Sequence, residues 1–274
     1  MEQIDTLKNG YKIIQDTERF QFGIDAVLLA DFAAREVRAG DKVIDLGTGT
    51  GIIPLLMEGR SRSAEARWLS GAVAERSLSG VEGAKPAVEK GQPVHFTGLE
   101  VQKDSAEMAA RSVALNALES RISIVNGDLK KAGELFARHS FNIVTCNPPY
   151  MIDAHGKSNE LDAKTIARHE VLCNLEDVVA AADTLLATHG KFFMIHRPFR
   201  LPEIFEALSA HKMEMKRMRL IQPFAGKEPN MVLIEARKNA KRRLTIEPPL
   251  IVRNDDGEYT VEVEEIYNNC HPRA

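Results

Sequence analysis

The chain has 274 residues, 44% hydrophobic and 27% charged, with a formal net charge of −3. That is ordinary for a soluble globular protein and long enough for one large domain, with or without an appendage. Three widely spaced cysteines (Cys146, Cys173, Cys270), with no CxxC pair or histidine cluster, argue against a disulfide framework and a metal site. The start "MEQIDTLKNGYK" lacks the apolar core of a signal peptide, and no apolar run approaches the roughly 18 residues of a membrane helix. A reducing, cytoplasmic setting without a membrane partner is expected.

In chain order, "IDAVLLADFAAREV" (Ile24 to Val37) spaces its apolar residues as a helix does. "DKVIDLG" predicts a buried strand over Lys42 to Leu46, and a glycine-rich turn leads into a helix at "GIIPLLM". Residues 60–93 are rich in Ser, Ala and Gly without sustained periodicity, which predicts a mobile insertion. Regular order resumes with a strand at Val94 to Glu100, a helix at Gln102 to Asn116, and a strand "RISIVNGD". A short helix (Leu129 to Arg138) and the strand "FNIVTC" follow. After a polar loop, Asn174 with Asp177 marks a capped helix ending at Gly190, then comes the strand "KFFMIH". "LPEIFEALSAH" is a helix, and "MEMKRMRLIQPF" and "MVLIEARK" form a pair of strands joined by "AGKEPN". Strands alternating with helices imply a mostly parallel α/β sheet; the last two strands, joined by a short turn, form an antiparallel hairpin. The expected organisation is a helical lead-in (1–40), one α/β domain (41–240) and a C-terminal extension (241–274).

"VIDLGTGTG" places Asp45, Gly47, Thr48, Gly49 and Gly51 at a strand-to-helix turn. Such turns lie where open α/β sheets bind nucleotides. A dinucleotide fold wants G-x-G-x-x-G, but position 52 is Ile52, so the spacing departs from the pyrophosphate-binding form. Glu100 ends the next strand, where a carboxylate can take both ribose hydroxyls. It stands 49 positions after Gly51; deleting a loop of roughly 30 residues restores the usual spacing of about 20. Asp128 ends the following strand and can accept from an adenine amino group. Three successive acidic strand ends suit S-adenosylmethionine, an adenosine without phosphates to repel.

The strand "FNIVTC" stops abruptly at Asn147-Pro148-Pro149-Tyr150. An exocyclic amino nitrogen is a poor nucleophile because its lone pair is delocalised into the ring. Two acceptors, the Asn147 side-chain oxygen and the Pro148 carbonyl, would accept hydrogen bonds from its protons and direct the lone pair at a methyl donor. The prolines fix that carbonyl, and Tyr150 would stack on the base. This is catalysis by positioning and electrostatics. Alternation along the strand turns Cys146 away from the site, as a small buried residue.

These motifs, with "FGIDAVLLADFA", "GLEVQKDSAEMAARSVALN", "ARHEVLCNLEDVV" and "HRPFRLPEIF", resemble the tRNA1(Val) adenine-37 N6-methyltransferase family of class I S-adenosylmethionine-dependent enzymes. The resemblance implies a single Rossmann-like domain with a seven-stranded sheet. It implies Asp45, Gly47, Glu100 and Asp128 as cofactor-binding residues, and Asn147 to Tyr150 as the adenine site. Position 37 lies in a single-stranded loop, where extruding a base costs less than from a duplex. NPPY is shared with DNA adenine and protein glutamine methyltransferases, which stay as alternatives beside a catalytically idle RNA-binding protein. Charge is uneven: positions 187–246 carry 13 Lys/Arg against 5 Asp/Glu. Within that stretch Lys212, Lys216, Arg217, Arg219, Lys238, Lys241, Arg242 and Arg243 are candidate phosphate contacts to tRNA. The triplet Arg168 to Glu170 either orders the loop after NPPY, touches RNA, or forms a structural ion pair.

Overall fold

The structure is a computed structural model and describes residues 1–18, 21–62, 93–148 and 173–268. The insertion beyond position 62, Pro149 and Tyr150, the polar loop with Arg168 to Glu170, and Cys270 lie outside the described residues.

The elements are β1 (Glu2–Thr6), β2 (Lys12–Asp16), α1 (Ile24–Ala34), β3 (Lys42–Leu46), a helix α2 over 52–62, β4 (His95–Glu100), α3 (Lys103–Leu115) and β5 (Ile122–Asn126). Then come α4 (Ala132–Leu135), β6 (Phe141–Cys146), α5 (Leu175–Leu185), β7 (Leu186–His196), α6 (Leu201–Ala210), β8 (Met213–Phe224), β9 (Met231–Lys238), β10 (Thr245–Arg253) and α7 (Val261–Asn268). The sheet order is β10-β8-β9-β7-β6-β3-β4-β5. Strands β3 to β7 are mutually parallel, and β9 runs antiparallel to both β7 and β8. This is the expected parallel sheet with an antiparallel hairpin.

Among the described residues the main sheet has eight strands, not seven. The eighth, β10, pairs in parallel with β8 inside what reads from the sequence as an extension. Pro248 and Pro249 hide it, since they interrupt strand alternation and sit where the pairing slips between Glu247 and Leu250. The lead-in also differs, because an antiparallel hairpin, β1–β2, precedes its helix. The hairpin docks on α3, with the Ile14 amide donating to Ser112 Oγ (2.9 Å) and the Lys12 amide to Asn116 Oδ1 (2.8 Å). Positions 60–62 continue α2 rather than starting the insertion. Arg60 pairs with Asp31 of α1, and its Nη2 donates to the Ile266 carbonyl at 2.8 Å.

The Asn174–Asp177 capping box forms in both directions. The helix nevertheless ends at Leu185 and the chain enters β7 directly. Gly190 is therefore not a helix terminus. It sits where β7 shifts register against β6, and a Cβ there would lie 2.9 Å from the Ala187 carbonyl and 3.2 Å from that of Asn142. Burial on both faces explains the nearly continuous apolar strands. In β7, Phe193 and Ile195 face the layer containing α1 and α2, while Phe192 and Met194 face that of α5 and α6. No helix among the described residues is long and apolar enough to cross a membrane.

Candidate active site

The carboxyl ends of β3, β4, β5 and β6 lie side by side, and the sequence motifs meet there. Gly47, Gly49 and Gly51 all have positive φ (71°, 57° and 86°), which only glycine adopts without strain. The turn is latched to β4, since the Gly47 and Thr48 amides both donate to the Leu99 carbonyl at 2.9 and 3.0 Å. A Cβ at Gly98 would fall 2.7 Å from Thr48 Cγ2, so Gly98 lets the turn lie flat on β4. A Cβ at Gly47 or Gly49 would meet nothing within 4 Å, which leaves that side of the turn open to a ligand.

Asp45 is 1% exposed. It is registered opposite Thr145, whose hydroxyl donates to Asp45 Oδ1 at 2.6 Å. Burial pushes its carboxyl up to about 7, against the opposing effect of that hydrogen bond. The Thr48 side chain also interacts with this carboxyl and, like Thr145, works against the upward shift, though no hydrogen bond of ordinary geometry closes on Asp45 Oδ2 or Thr48 Oγ1. Glu100 is 5% exposed and folds back across the turn. Its Oε2 accepts from the Gly49 amide (2.9 Å) and its Oε1 from the Gln102 amide (2.8 Å). Asp128 caps the short turn after β5 through its Oδ1 and the Lys130 amide (2.9 Å).

Cys146 is paired with Leu46, so Asn147 and Gly47 leave adjacent strands at one level. Asn147 is half-buried and Pro148 buried. The Asn147 side-chain Nδ2 donates to Asp25 Oδ2, in the first turn of α1, at 3.1 Å. Sequence reasoning missed this partner: Asp25 reads as a helix-start acid, and a contact across 122 positions leaves no local signal. Thr145 was missed for the same reason. Cys146 is buried and its thiol pushed well up by burial, which fits an inert packing residue.

The eight basic candidates do not gather at this site. Arg217 pairs with Glu235 (2.8 Å) and Glu247 (3.1 Å) and stacks on the Phe32 ring, 4.2 Å from its centroid. Arg219, 8% exposed, is bidentate to Glu262 (2.7 and 2.9 Å). Lys238 pairs with Asp183 (2.7 Å), and Lys216 donates to the Lys241 carbonyl (2.8 Å). Lys212, Lys241, Arg242 and Arg243 are exposed. They flank the start of β8 and the end of β9, at the edge where the parallel strands begin. At about 3.3 Å per residue, that edge is some 17 Å from the carboxyl ends. Within the basic stretch, the Lys and Arg side chains at the carboxyl edge are Arg197, which donates to the Asn230 carbonyl (2.9 Å), Arg200, paired with Glu203 (2.6 Å), and the exposed Lys227, with the exposed Phe199 (53%) and Phe224 (37%). Among the described residues no cluster of His, Cys, Asp and Glu could hold a metal ion.

A parallel sheet reversed at one hairpin, with a glycine turn and acidic strand ends, is the architecture of class I methyltransferases. Among solved structures, an Agrobacterium tumefaciens protein described as a predicted O-methyltransferase aligns at a TM-score of 0.64 and 23% identity, covering 91% of this chain and 98% of that one. TYW2 from Pyrococcus horikoshii in complex with MeSAdo aligns at 0.52 and 13% identity, covering 87% and 72%. No protein-family model matches the chain. Curated relatives narrow the likeness. Proteins named tRNA1(Val) (adenine(37)-N6)-methyltransferase are 24% identical in Tolumonas auensis (92% of this chain, 90% of the relative) and 23% identical in Phocaeicola vulgatus (94% and 95%). The Porphyromonas gingivalis protein of that name is 25% identical, over 88% and 84%.

Proposed function

We propose that the chain is an S-adenosylmethionine-dependent methyltransferase acting on the exocyclic N6 of an adenine in tRNA, at position 37 of the anticodon loop. One observation carries the reading. The chain is similar, nearly end to end, to relatives of that name, and its Asn147 stands level with the glycine turn.

The residues of the turn fit the cofactor. Gly47 and Gly49 leave space for close approach, and Asp45 and Thr48 bring polar side chains to the base of the turn. Glu100 and Asp128 supply carboxylates at the next two strand ends. The cofactor, when bound, supplies an electrophilic methyl group. The chain's own part is to hold the amino nitrogen, with Asn147 Oδ1 and the Pro148 carbonyl accepting hydrogen bonds from its two N–H groups; one of these protons leaves to solvent once the methyl has been transferred. No strong general base is required. A tRNA approaching this edge would meet Arg197, Arg200 and Lys227 before the far cluster, with Phe199 and Phe224 as apolar surface for unstacked bases.

The test is transfer of labelled methyl from S-adenosylmethionine to unmodified tRNA, duplex DNA or a release-factor-like protein, followed by mapping of the label. Label on N6 of an anticodon-loop adenine is expected; label only in protein or only in DNA would overturn the reading. Asn147→Ala should lower kcat by about 10²- to 10³-fold while cofactor binding, followed by calorimetry, stays within about threefold.

A further inference from the structure

We propose that Asp25 is a positioning residue that fixes which atom of the Asn147 amide faces the methyl acceptor. The proposal rests on the amino-group reading of the site. An asparagine amide is nearly isosteric under a half-turn, but its two ends are chemically opposite, one an acceptor and the other a pair of donors. With the oxygen toward an amino group, it accepts a hydrogen bond from the N–H and helps free the lone pair. With the nitrogen there, donors face donors and the nucleophile is repelled. Something must choose. A carboxylate can only accept, and Asp25 Oδ2 lies 3.1 Å from Asn147 Nδ2. Holding the nitrogen on the α1 side directs Oδ1 away from the carboxylate.

The carboxylate is itself held. Its other oxygen, Oδ1, accepts from the Ala26 amide at 2.9 Å, so both oxygens are used and the side chain cannot rotate freely. It projects from a rigid element, because residues Ala26 to Ala33 of α1 are all buried and the helix packs on β7 and β9. Space for it depends on Gly23. A Cβ built there would sit 2.7 Å from Asp25 Oδ1. Gly23 has φ −102° and ψ −177°, a conformation any residue adopts. Its lack of a side chain therefore serves the carboxylate rather than the backbone, which gives a way to move Asp25 without changing it.

The experiment is a double-mutant cycle with a spectroscopic arm. Asp25→Ala should lower kcat by about 10- to 100-fold and leave the KM for S-adenosylmethionine within about twofold. Gly23→Ala should do the same in smaller measure. Asp25→Asn, which keeps one carbonyl acceptor, should recover part of the loss. Because Asp25 acts through Asn147, adding Asp25→Ala or Gly23→Ala to Asn147→Ala should slow the enzyme no further. Effects that multiply, or an Asp25→Ala enzyme with wild-type kcat, would overturn the proposal. In ¹⁵N-labelled wild-type protein, the Asn147 side-chain NH₂ pair, assigned by its loss in Asn147→Ala, should have one shifted, slowly exchanging proton. That signature should collapse in Asp25→Ala and in Gly23→Ala. It needs no substrate, so a wrong substrate class would show in the transfer assay while this signature persisted; its absence from the wild type would refute the positioning role itself.

Discussion

At the scale of single residues, the site depends on side chains buried beneath it as well as those that face a ligand. Under the glycine turn Thr145 donates to one oxygen of Asp45, and His196 is buried at the end of β7, with the Arg197 amide donating to its Nδ1 at 2.8 Å. Burial holds Asp45 up at about 7 and His196 down at about 4. The signs oppose. Folded Asp45 keeps a proton that the unfolded chain has lost, so its contribution to stability is full below about 4 and is lost as pH rises through 7. Folded His196 refuses a proton that the unfolded chain takes near 6.5, so its contribution is full above that pH and is lost as pH falls through 4. Asp45→Asn should leave the histidine unopposed. Urea midpoints of that variant should climb between pH 4.5 and 6.5 more steeply than those of the wild type; parallel profiles would show that Asp45 titrates normally. Gly98→Ala would place a methyl against Thr48. It should cost about 1–3 kcal/mol in denaturant unfolding and weaken cofactor binding, whereas the exposed Gly226→Ala should leave cofactor binding unchanged.

At the scale of elements, the sequence was legible wherever a local pattern carried the information. β3 and β6 have their expected bounds, because buried apolar runs ended by glycine or proline leave little freedom. The Asn174–Asp177 cap forms as its residue types require. What escaped was non-local. Gly190 looks like a helix terminus but serves a close approach of β7 to β6, and β10 is concealed by its prolines. The basic stretch misled for the same reason: a tally along the chain does not see which acids the fold brings to meet it. Glu36, Asp183, Glu247 and Glu262 arrive from four places outside the stretch, and Glu235 from within it, to pair with Lys191, Arg217, Arg219, Arg237 and Lys238. Arg219 is thus a strut between β8 and α7. Arg219→Ala should destabilise the fold by about 1–3 kcal/mol, read as a lowered Tm, and leave the salt dependence of tRNA binding unchanged.

At the scale of the whole molecule, the sheet has two contrasting margins. The glycine turn and the acidic strand ends gather at the carboxyl ends of the strands, and the ion-paired lattice closes the opposite edge. Lys227, exposed in the turn between β8 and β9, stands on the first margin. Lys227→Glu should weaken tRNA binding several-fold and flatten the slope of log K against log salt by about 1; Arg242→Glu, on the second, should do less. A slope moved equally by both would place the RNA across the full height of the sheet. The chain's last strand carries a different consequence. Among the described residues β10 has one strand neighbour, β8; the chain returns to its far end through the Arg253–Tyr259 bridge and the Thr260 amide on the Val252 carbonyl, so the outer flank over its first half is what a second chain could add to. Pro248 and Pro249 lack amide hydrogens, and the slipped pairing beside them bends the strand. Together they make that stretch a poor template for another strand. Replacing both by valine should spare catalysis and yet produce progressively larger particles in light scattering, because the border of the sheet would then accept copies of itself.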